Sequence, residues 1–372
     1  MYSLFVFPDI RKYPKFFQKF SITCAFLALL TIHSVSAQPI VPYDDQKIAE
    51  EFGFSSEALD SLATFLEEAG SSSMLILSKG KIVFEWGDTT RQHTIHSIRK
   101  PLISTLYGIF IQQGIIDTSE TLKSLNIDDI NSLSEKEHSA RLIDVLKSRS
   151  GVYHDAAANS RGMIANRPPR NSYNPGEFYF YNNWDFNVLG AILEQKTGKS
   201  VYELFHDEIA QKIGMEDYDG EFATIYGEDP DAKIPNTDGF YQLEPSKSNF
   251  PAYHFRLSAR DMAKFGQLYL NNGTWEGQQI IPQEWIELST QAYSITNERY
   301  GIGYGMLWYV LVPTEQRASK SFYHTGNGVH FLAIYPASEM VVVHRVDTEK
   351  PYTFNQGDFY RMIDLVWASK IE

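Results

Sequence analysis

The chain holds a single cysteine in 372 residues. That residue, Cys24, falls in an N-terminal leader-like stretch with no convincing lipobox before it, so the rest of the chain has neither thiol chemistry nor a disulfide. This suits an oxidising compartment without requiring one. Long apolar runs are missing as well. The run from Ile22 to Ile32 is too short to span a bilayer. It follows Arg11, Lys12, Lys15 and Lys19 and precedes the small residues Val35-Ser36-Ala37, the charged, apolar, small-residue order of a secretory signal. Cleavage is expected after Ala37, with periplasmic or extracellular export. An uncleaved membrane anchor is the alternative, because the basic segment is long for a signal. Positive charge is also scarce, with 33 Lys and Arg against 46 Asp and Glu and a net charge of −13. Loss of residues 1–37 would take it to about −16. Such acidity disfavours nucleic acid and anionic membranes as partners. There is no internal repeat and no low-complexity linker. What the chain does have is apolar mass, 43% hydrophobic and 14% aromatic, enough for a large core without metal or disulfide support. Residues 38–372 are therefore expected to form one large domain or two interleaved ones.

Both ends of that domain read as sheet and its middle as helix. Residues 55–69, SSEALDSLATFLEEA, space Leu59, Leu62, Phe65 and Leu66 along one helical face, and Gly70 supplies a stop. The following SMLILSKGKIVFEWG predicts a hairpin turning at Lys79-Gly80. Near the other end GYGMLWYVLV, SFYHTGNG, VHFLAIYP and MVVVHRV are short β-rich runs, and FYRMIDLVWASK closes the chain as an amphipathic helix. From about 98 to 290, Gly and Pro punctuate mostly helical patterns such as WDFNVLGAILEQKTG. The economical arrangement is an α/β (α+β) domain. Its antiparallel sheet is drawn from about 55–96 and 298–372, with a mostly helical insertion at about 97–297.

The run HTIHSIRKPLIS places Ser97 and Lys100 three residues apart where strand-like sequence gives way to helix. If the helix starts at or just before Ser97, the two side chains share a face. A serine alone is a weak nucleophile, and a lysine in a poorly solvated cleft can take its proton because burial lowers its pKa. Pro101 is tolerated in a first helical turn, which has no intrahelical use for its N–H groups. The plain alternative makes Ser97 an N-cap and Lys100 a solvated cation.

Two further segments carry polar groups suited to the same chemistry. In NPGEFYFYNNWDFNVLG a Pro-Gly turn leads to Tyr181-Asn182-Asn183 at the start of a helix. A phenol beside an ammonium ionises more easily, which would make Tyr181 a general base, and the Asn183 amide would hold substrate and Lys100. Otherwise Tyr181 is a core aromatic and Asn183 a helix cap. In YHTGNG, an edge of β pattern offers backbone N–H groups to a carbonyl oxygen, Gly326 permits close approach, and His324 and Thr325 would point along the cleft. The alternative is a hairpin turn at Asn327-Gly328.

In this order, Ser97-x-x-Lys100, Tyr181-x-Asn183 and His324-Thr325-Gly326 resemble the S-x-x-K, Y-x-N and K/H-T-G elements of the serine β-lactamase and penicillin-recognising superfamily. The likeness is to its class C-like, esterase-like branch, and within it to the subgroup of 6-aminohexanoate-oligomer hydrolases. It extends over most of residues 55–370 and includes LKSRSGVYHD and SARDMAKFGQLYL. The resemblance implies a β-lactamase-like fold and an exported serine hydrolase acting through an acyl-enzyme on a small ester, amide or peptide-like substrate. Ser97 would be the nucleophile and Lys100 with Tyr181 the proton carriers. Asn183, His324, Thr325, Gly326 and Asn327 would bind substrate, with the backbone N–H groups of Ser97 and Asn327 as the oxyanion hole. No metal or organic cofactor is implied, and the oligomeric state is left open. A β-lactamase, a D-alanyl-D-alanine carboxypeptidase and a penicillin-binding sensor that does not turn over are the alternatives.

Several literal motif matches are set aside. Lys196-Thr197-Gly198 ends a helical pattern, with Gly198 as C-cap and Ser200 to Glu203 as the next capping box. Ser172-Tyr173-Asn174 precedes the Pro175-Gly176 turn, whereas the resemblance places the functional motif after it. Gly301-x-Gly303-x-Gly305 opens no helix, so a dinucleotide site is not expected. His93 and His96 lack the H-E-x-x-H pattern of a zinc site.

Overall fold

The computed structural model describes residues 46–371, so the leader expected at 1–37 lies outside the described residues. Helices Gln46–Glu51 (α1) and Ser56–Ala69 (α2) precede the hairpin Ser73–Ser78 (β1) and Lys81–Gly87 (β2). The short strand His93–Thr94 (β3) and a 3-10 turn at His96–Ile98 open onto Arg99–Gln112 (α3). Glu135–His138 (α4), Leu142–Leu146 (α5) and Arg161–Asn166 (α6) lead to Asn183–Thr197 (α7) and Val201–Phe205 (α8). Strands Phe222–Tyr226 (β4), Gly239–Leu243 (β5) and Ala252–Leu257 (β6) precede Ala259–Leu270 (α9). A small hairpin, Thr274–Trp275 (β7) with Gln278–Gln279 (β8), is followed by Gln283–Ser289 (α10). Strands Ser294–Asn297 (β9), Ile302–Tyr304 (β10), Tyr309–Leu311 (β11), Ser321–Gly326 (β12), His330–Tyr335 (β13) and Met340–Arg345 (β14) lead to the last helix, Gln356–Ala368 (α11).

Eight strands make one antiparallel sheet in the order β2-β1-β14-β13-β12-β11-β10-β9, so early and late parts of the described domain meet at β1 and β14. Lys79 and Gly80 both have positive φ, 48° and 75°, which gives the β1–β2 hairpin the primed turn its twist requires. Every residue of β1, β13 and β14 is buried, because both faces of the sheet are covered. On one face Met74, Ile76, Met340 and Val342 pack with Leu59, Leu62 and Leu66 of α2 and Met362 and Val366 of α11. On the other, Leu75, Leu77, Val341 and Val343 join a larger core with α3, α7 and α9. Alternation along each strand sends successive side chains to opposite cores.

The insertion is mostly helical, as expected, and also holds a small sheet that the sequence did not signal: β3, β6, β5 and β4 pair in that order, with β4 and β5 parallel and the other pairs antiparallel. These are strands of two to six residues, and β4 alternates between exposed and half-buried positions at an edge, so their apolar signal is weak. The main sheet also starts earlier than 298, at Ser294. The second sheet matters for the site, because β3 pairs with β6 and hands the chain to the turn that carries Ser97.

Candidate active site

Ser97 lies in the 3-10 turn between β3 and α3, one residue after His96, whose φ is +49°. The helix proper begins at Arg99, and neither turn nor helix receives a side-chain cap there. The Ser97 hydroxyl is instead 2.9 Å from Lys100 Nζ. Helix α3 is buried on nearly every side, from Arg99 through Phe110, which places Lys100 at 1% exposure. Its nitrogen sits 4.4 Å from the centre of the Phe186 ring and 4.9 Å from that of Tyr181. No carboxylate pairs with it among the described residues. Burial, helped by the neighbouring Arg99 guanidinium, holds the Lys100 amine well below its ordinary value. Pro101 occupies the first turn of α3 without disturbing it.

Tyr181 reaches this pair from the far side of the insertion. The loop before it is tied down by Phe180 N–H to Ser148 O at 3.0 Å and by Asn182 Nδ2 to Val152 O at 2.7 Å. The buried Asp185 accepts from Ser150 Oγ at 2.6 Å and from Asn182 Nδ2 at 3.0 Å, closing the same loop from below. The Tyr181 ring packs edge-on to Phe186 at 4.8 Å and stacks with Tyr309 at 6.0 Å. Burial raises its phenol well above the ordinary value, and the Ser97 hydroxyl and Arg99 oppose this less strongly. The expectation of an easily ionised phenol is therefore corrected: with both groups buried, the uncharged amine and the uncharged phenol are favoured.

Asn183 is 4% exposed, and its Nδ2 donates to Ala158 O at 2.6 Å. Its Oδ1 is buried without a partner, and Lys100 is not among the groups it bonds. The cap of α7 is its neighbour Asn182, which accepts from Trp184 N–H at 3.2 Å.

The β12 edge is arranged differently from the expectation. His324 and Thr325 do not share a side of the sheet. His324 pairs with Leu332 and Thr325 with Phe331, residues of the two different cores, so strand alternation sends them apart. His324 faces the Tyr181 side at 0% exposure, its Nδ1–H donating to Thr325 O at 2.8 Å. Its ring lies 6.4 Å from Tyr181 and 5.2 Å from Tyr309, and burial pushes its pKa down to about 3. Gly326 permits a close approach of chain to chain: a Cβ there would stand 2.3 Å from Ile95 O. Asn327 and Gly328, with φ of 51° and 74°, make the β12–β13 turn as a primed hairpin. Asn327 is exposed, and its Nδ2 donates to Tyr352 Oη at 3.0 Å. Thus Ser97, Lys100 and Tyr181 come together, the Ile95 carbonyl brings Gly326 beside them, and Thr325 stays apart.

No sequence signal marked Phe186 and Tyr309, which pack against Tyr181, because their contacts are made across the fold. Arg99 carried one, a charge inside an otherwise apolar helical run. It is 2% exposed, lies over the Tyr253 ring at 4.2 Å, and donates to Asn187 Oδ1 at 3.3 Å.

The set-aside matches fall where local chemistry put them. Gly198, with φ of 72°, ends α7, and Ser200 with Glu203 forms a capping box. Ser172 stands exposed in a turn. Gly303 and Gly305 pack against Ala292 and the Ser289 carbonyl. Among the described residues no three His, Cys, Asp or Glu side chains are grouped to hold a metal ion. A surface cavity of about 450 Å³ lies elsewhere, between the end of α7 and β4–β5, and is lined by none of the candidate residues.

Comparison with known proteins bears on the fold and the family. An uncharacterised protein of Alkalihalophilus pseudofirmus is 24% identical over 319 residues, covering 78% of this chain and 88% of that one. A provisionally assigned 6-aminohexanoate-dimer hydrolase from Bacillus anthracis superposes with a TM-score of 0.60 at 20% identity, covering 82% of this chain and 80% of that one. EstCE1, a hydrolase with promiscuous acyltransferase activity, superposes with a TM-score of 0.59 at 16% identity, covering 86% of this chain and all of that one, 100%. These solved structures share the fold. The sequence model of the Beta-lactamase family matches residues 62–366, nearly the whole described domain, and the chain belongs to that family, within the serine penicillin-recognising superfamily.

Proposed function

We propose that this protein is an exported serine hydrolase that cleaves an ester or amide bond of a small molecule through an acyl-enzyme on Ser97. Enzymes of its family are serine hydrolases. The observation that carries the reading is the 2.9 Å contact between Ser97 Oγ and a lysine amine whose pKa burial lowers well below its ordinary value. A free amine accepts the serine proton as Oγ attacks the substrate carbonyl carbon. The oxyanion then faces the backbone N–H groups of Ser97 and Asn327. As the intermediate collapses, the departing alkoxide or amine takes a proton from the Lys100 ammonium by way of the Tyr181 phenol. Water, deprotonated along the same route, releases the acid and returns the proton to Ser97. Tyr181 thus serves as a proton relay while Lys100 is the base.

Esters and linear amides fit this site better than β-lactams. Lactam-cleaving relatives usually present a lysine where His324 stands, and a buried neutral histidine gives a substrate carboxylate no cation. Export rests on the leader-like segment at 1–37. Among the described residues no helix is long and apolar enough to cross a membrane.

The test is intact-mass measurement with a fluorophosphonate probe, followed by peptide mapping and steady-state kinetics. One adduct at Ser97 is expected, none in Ser97→Ala, and turnover of p-nitrophenyl esters well past one equivalent. Labelling that persists in Ser97→Ala rejects the nucleophile. Acylation that stops at one equivalent favours a sensor, and a kcat/KM for nitrocefin above that of every ester moves the protein to the β-lactamases.

A further inference from the structure

The turn that presents Ser97 is held from outside by a segment of the chain some 250 residues later. His96, at φ +49°, precedes the nucleophile, and its Nε2 is 2.8 Å from Thr348 Oγ1. His330, at the start of β13, stacks on His96 with ring centres 5.3 Å apart and places its own Nε2 3.3 Å from the same hydroxyl. The direction of these bonds follows from Arg345, which can only donate. Its Nε–H donates to His330 Nδ1 at 3.2 Å, so that nitrogen carries no proton and Nε2–H must donate to Thr348. Thr348 O–H is then free to donate to His96 Nε2. Arg345 is itself fixed, fully buried and donating through Nη2 to His93 O at 2.8 Å. Burial keeps both rings neutral, His96 at about 4 and His330 well below its ordinary value, so the relay does not reverse at working pH.

The same segment grips the site at two more points. Glu349 Oε1 accepts from Thr94 N–H at 2.8 Å and Thr94 Oγ1 at 2.9 Å, two residues before His96. Tyr352 Oη accepts from Asn327 Nδ2 at 3.0 Å. Residues 345–352 therefore touch both the run into Ser97 and the turn that carries the Asn327 amide.

We infer that the segment after β14, residues 346–352, is a clamp that sets the spacing of the Ser97 and Asn327 amides, with Thr348 as its central positioning residue. This rests on the acyl-enzyme reading above. An oxyanion site works because its donors are already in place, and a shift of well under an ångström weakens both donors at once. Deleting the Thr348 hydroxyl leaves His96 Nε2 and His330 Nε2–H unpaired and frees a turn that His96 holds in the left-handed region.

The experiment compares Thr348→Val, Thr348→Ser and Tyr352→Phe in the full mature chain. Readouts are the rate of fluorophosphonate labelling, kcat and KM on a p-nitrophenyl ester, and thermal melting. Thr348→Val is expected to lower labelling rate and kcat together by about tenfold, less than loss of an oxyanion donor itself, with KM nearly unchanged. Thr348→Ser keeps the hydroxyl and restores both. Tyr352 is 42% exposed, so Tyr352→Phe leaves the melting temperature alone and slows labelling by about threefold. Wild-type labelling and kcat in Thr348→Val overturn the clamp, as does a loss that Thr348→Ser fails to restore. Should Thr348→Val not fold, unchanged labelling in Tyr352→Phe overturns it alone. A wild-type protein that does not label at Ser97 rejects the acyl-enzyme reading first, and the clamp falls with it.

Discussion

The two faces of the main sheet are covered in different ways. Helices α2 and α11 lie on one face and are amphipathic, with Leu59, Leu62, Leu66, Met362 and Val366 buried and their other sides in water. The opposite face meets a thicker layer that contains α3, a helix buried on nearly every side although it includes Arg99, Lys100, Ser104 and Thr105. The first face is a packing surface that any apolar stripe of the right period could make. In the second, the Lys100 amine is kept out of water beside the Ser97 hydroxyl, a desolvation penalty that the proposed chemistry explains. On the proposed function, stability and chemistry are divided between the faces.

Lys100→Met puts that division under the greatest strain. It keeps the buried volume and removes the base, so ester turnover is expected to fall by about a thousandfold while the melting temperature holds or rises. The wild-type pH profile carries the matching sign. A protonated Lys100 cannot accept the serine proton, so the rate falls on the acid side as pH drops through the depressed pKa of the amine and stays high above it. A rate that instead climbs only near the ordinary lysine range would show that burial does not set the base.

Tyr181→Phe is the next largest change, with kcat expected to drop by about a hundredfold and the aromatic packing against Phe186 and Tyr309 preserved. Ser172→Ala, in an exposed turn, should leave turnover as it was. If Ser172→Ala were the more damaging of the two, the site would use the earlier S-x-N segment and the geometry described here would be the wrong one.

The smallest effect on chemistry belongs to the other face. Leu62→Ala opens a cavity between α2 and the sheet and is expected to destabilise by about 2–5 kcal/mol, read as a lower midpoint in urea, with kcat per labelled site unchanged. A fall in kcat at constant folded fraction would break the separation of the faces.

Much of this fold is legible from local pattern. Helix α2 with Ser55 as cap and Gly70 as stop, the Lys79-Gly80 hairpin and the closing helix all depend on residues a few positions apart. The second sheet is not legible that way, since strands of two to six residues with one exposed edge carry too little periodic signal. In the site, the three-residue spacing of Ser97 and Lys100 predicts their contact because a helical turn enforces it. For His324 and Thr325 the same local logic points the other way: adjacent residues in a strand face opposite sides, and the expectation that both line the cleft failed on that rule.

The sequence by itself determined the Ser97–Lys100 pair, the order of the motifs and the meeting of the domain's early and late parts in one sheet, since each follows from short-range spacing or from β-rich runs at both ends. Only the tertiary structure decided the lowered pKa of the Lys100 amine, the raised pKa of the Tyr181 phenol and the contact of Thr348 with the turn that carries Ser97. These depend on desolvation and on contacts between residues far apart in the chain, and burial is a property of the folded packing that no local run of residues carries.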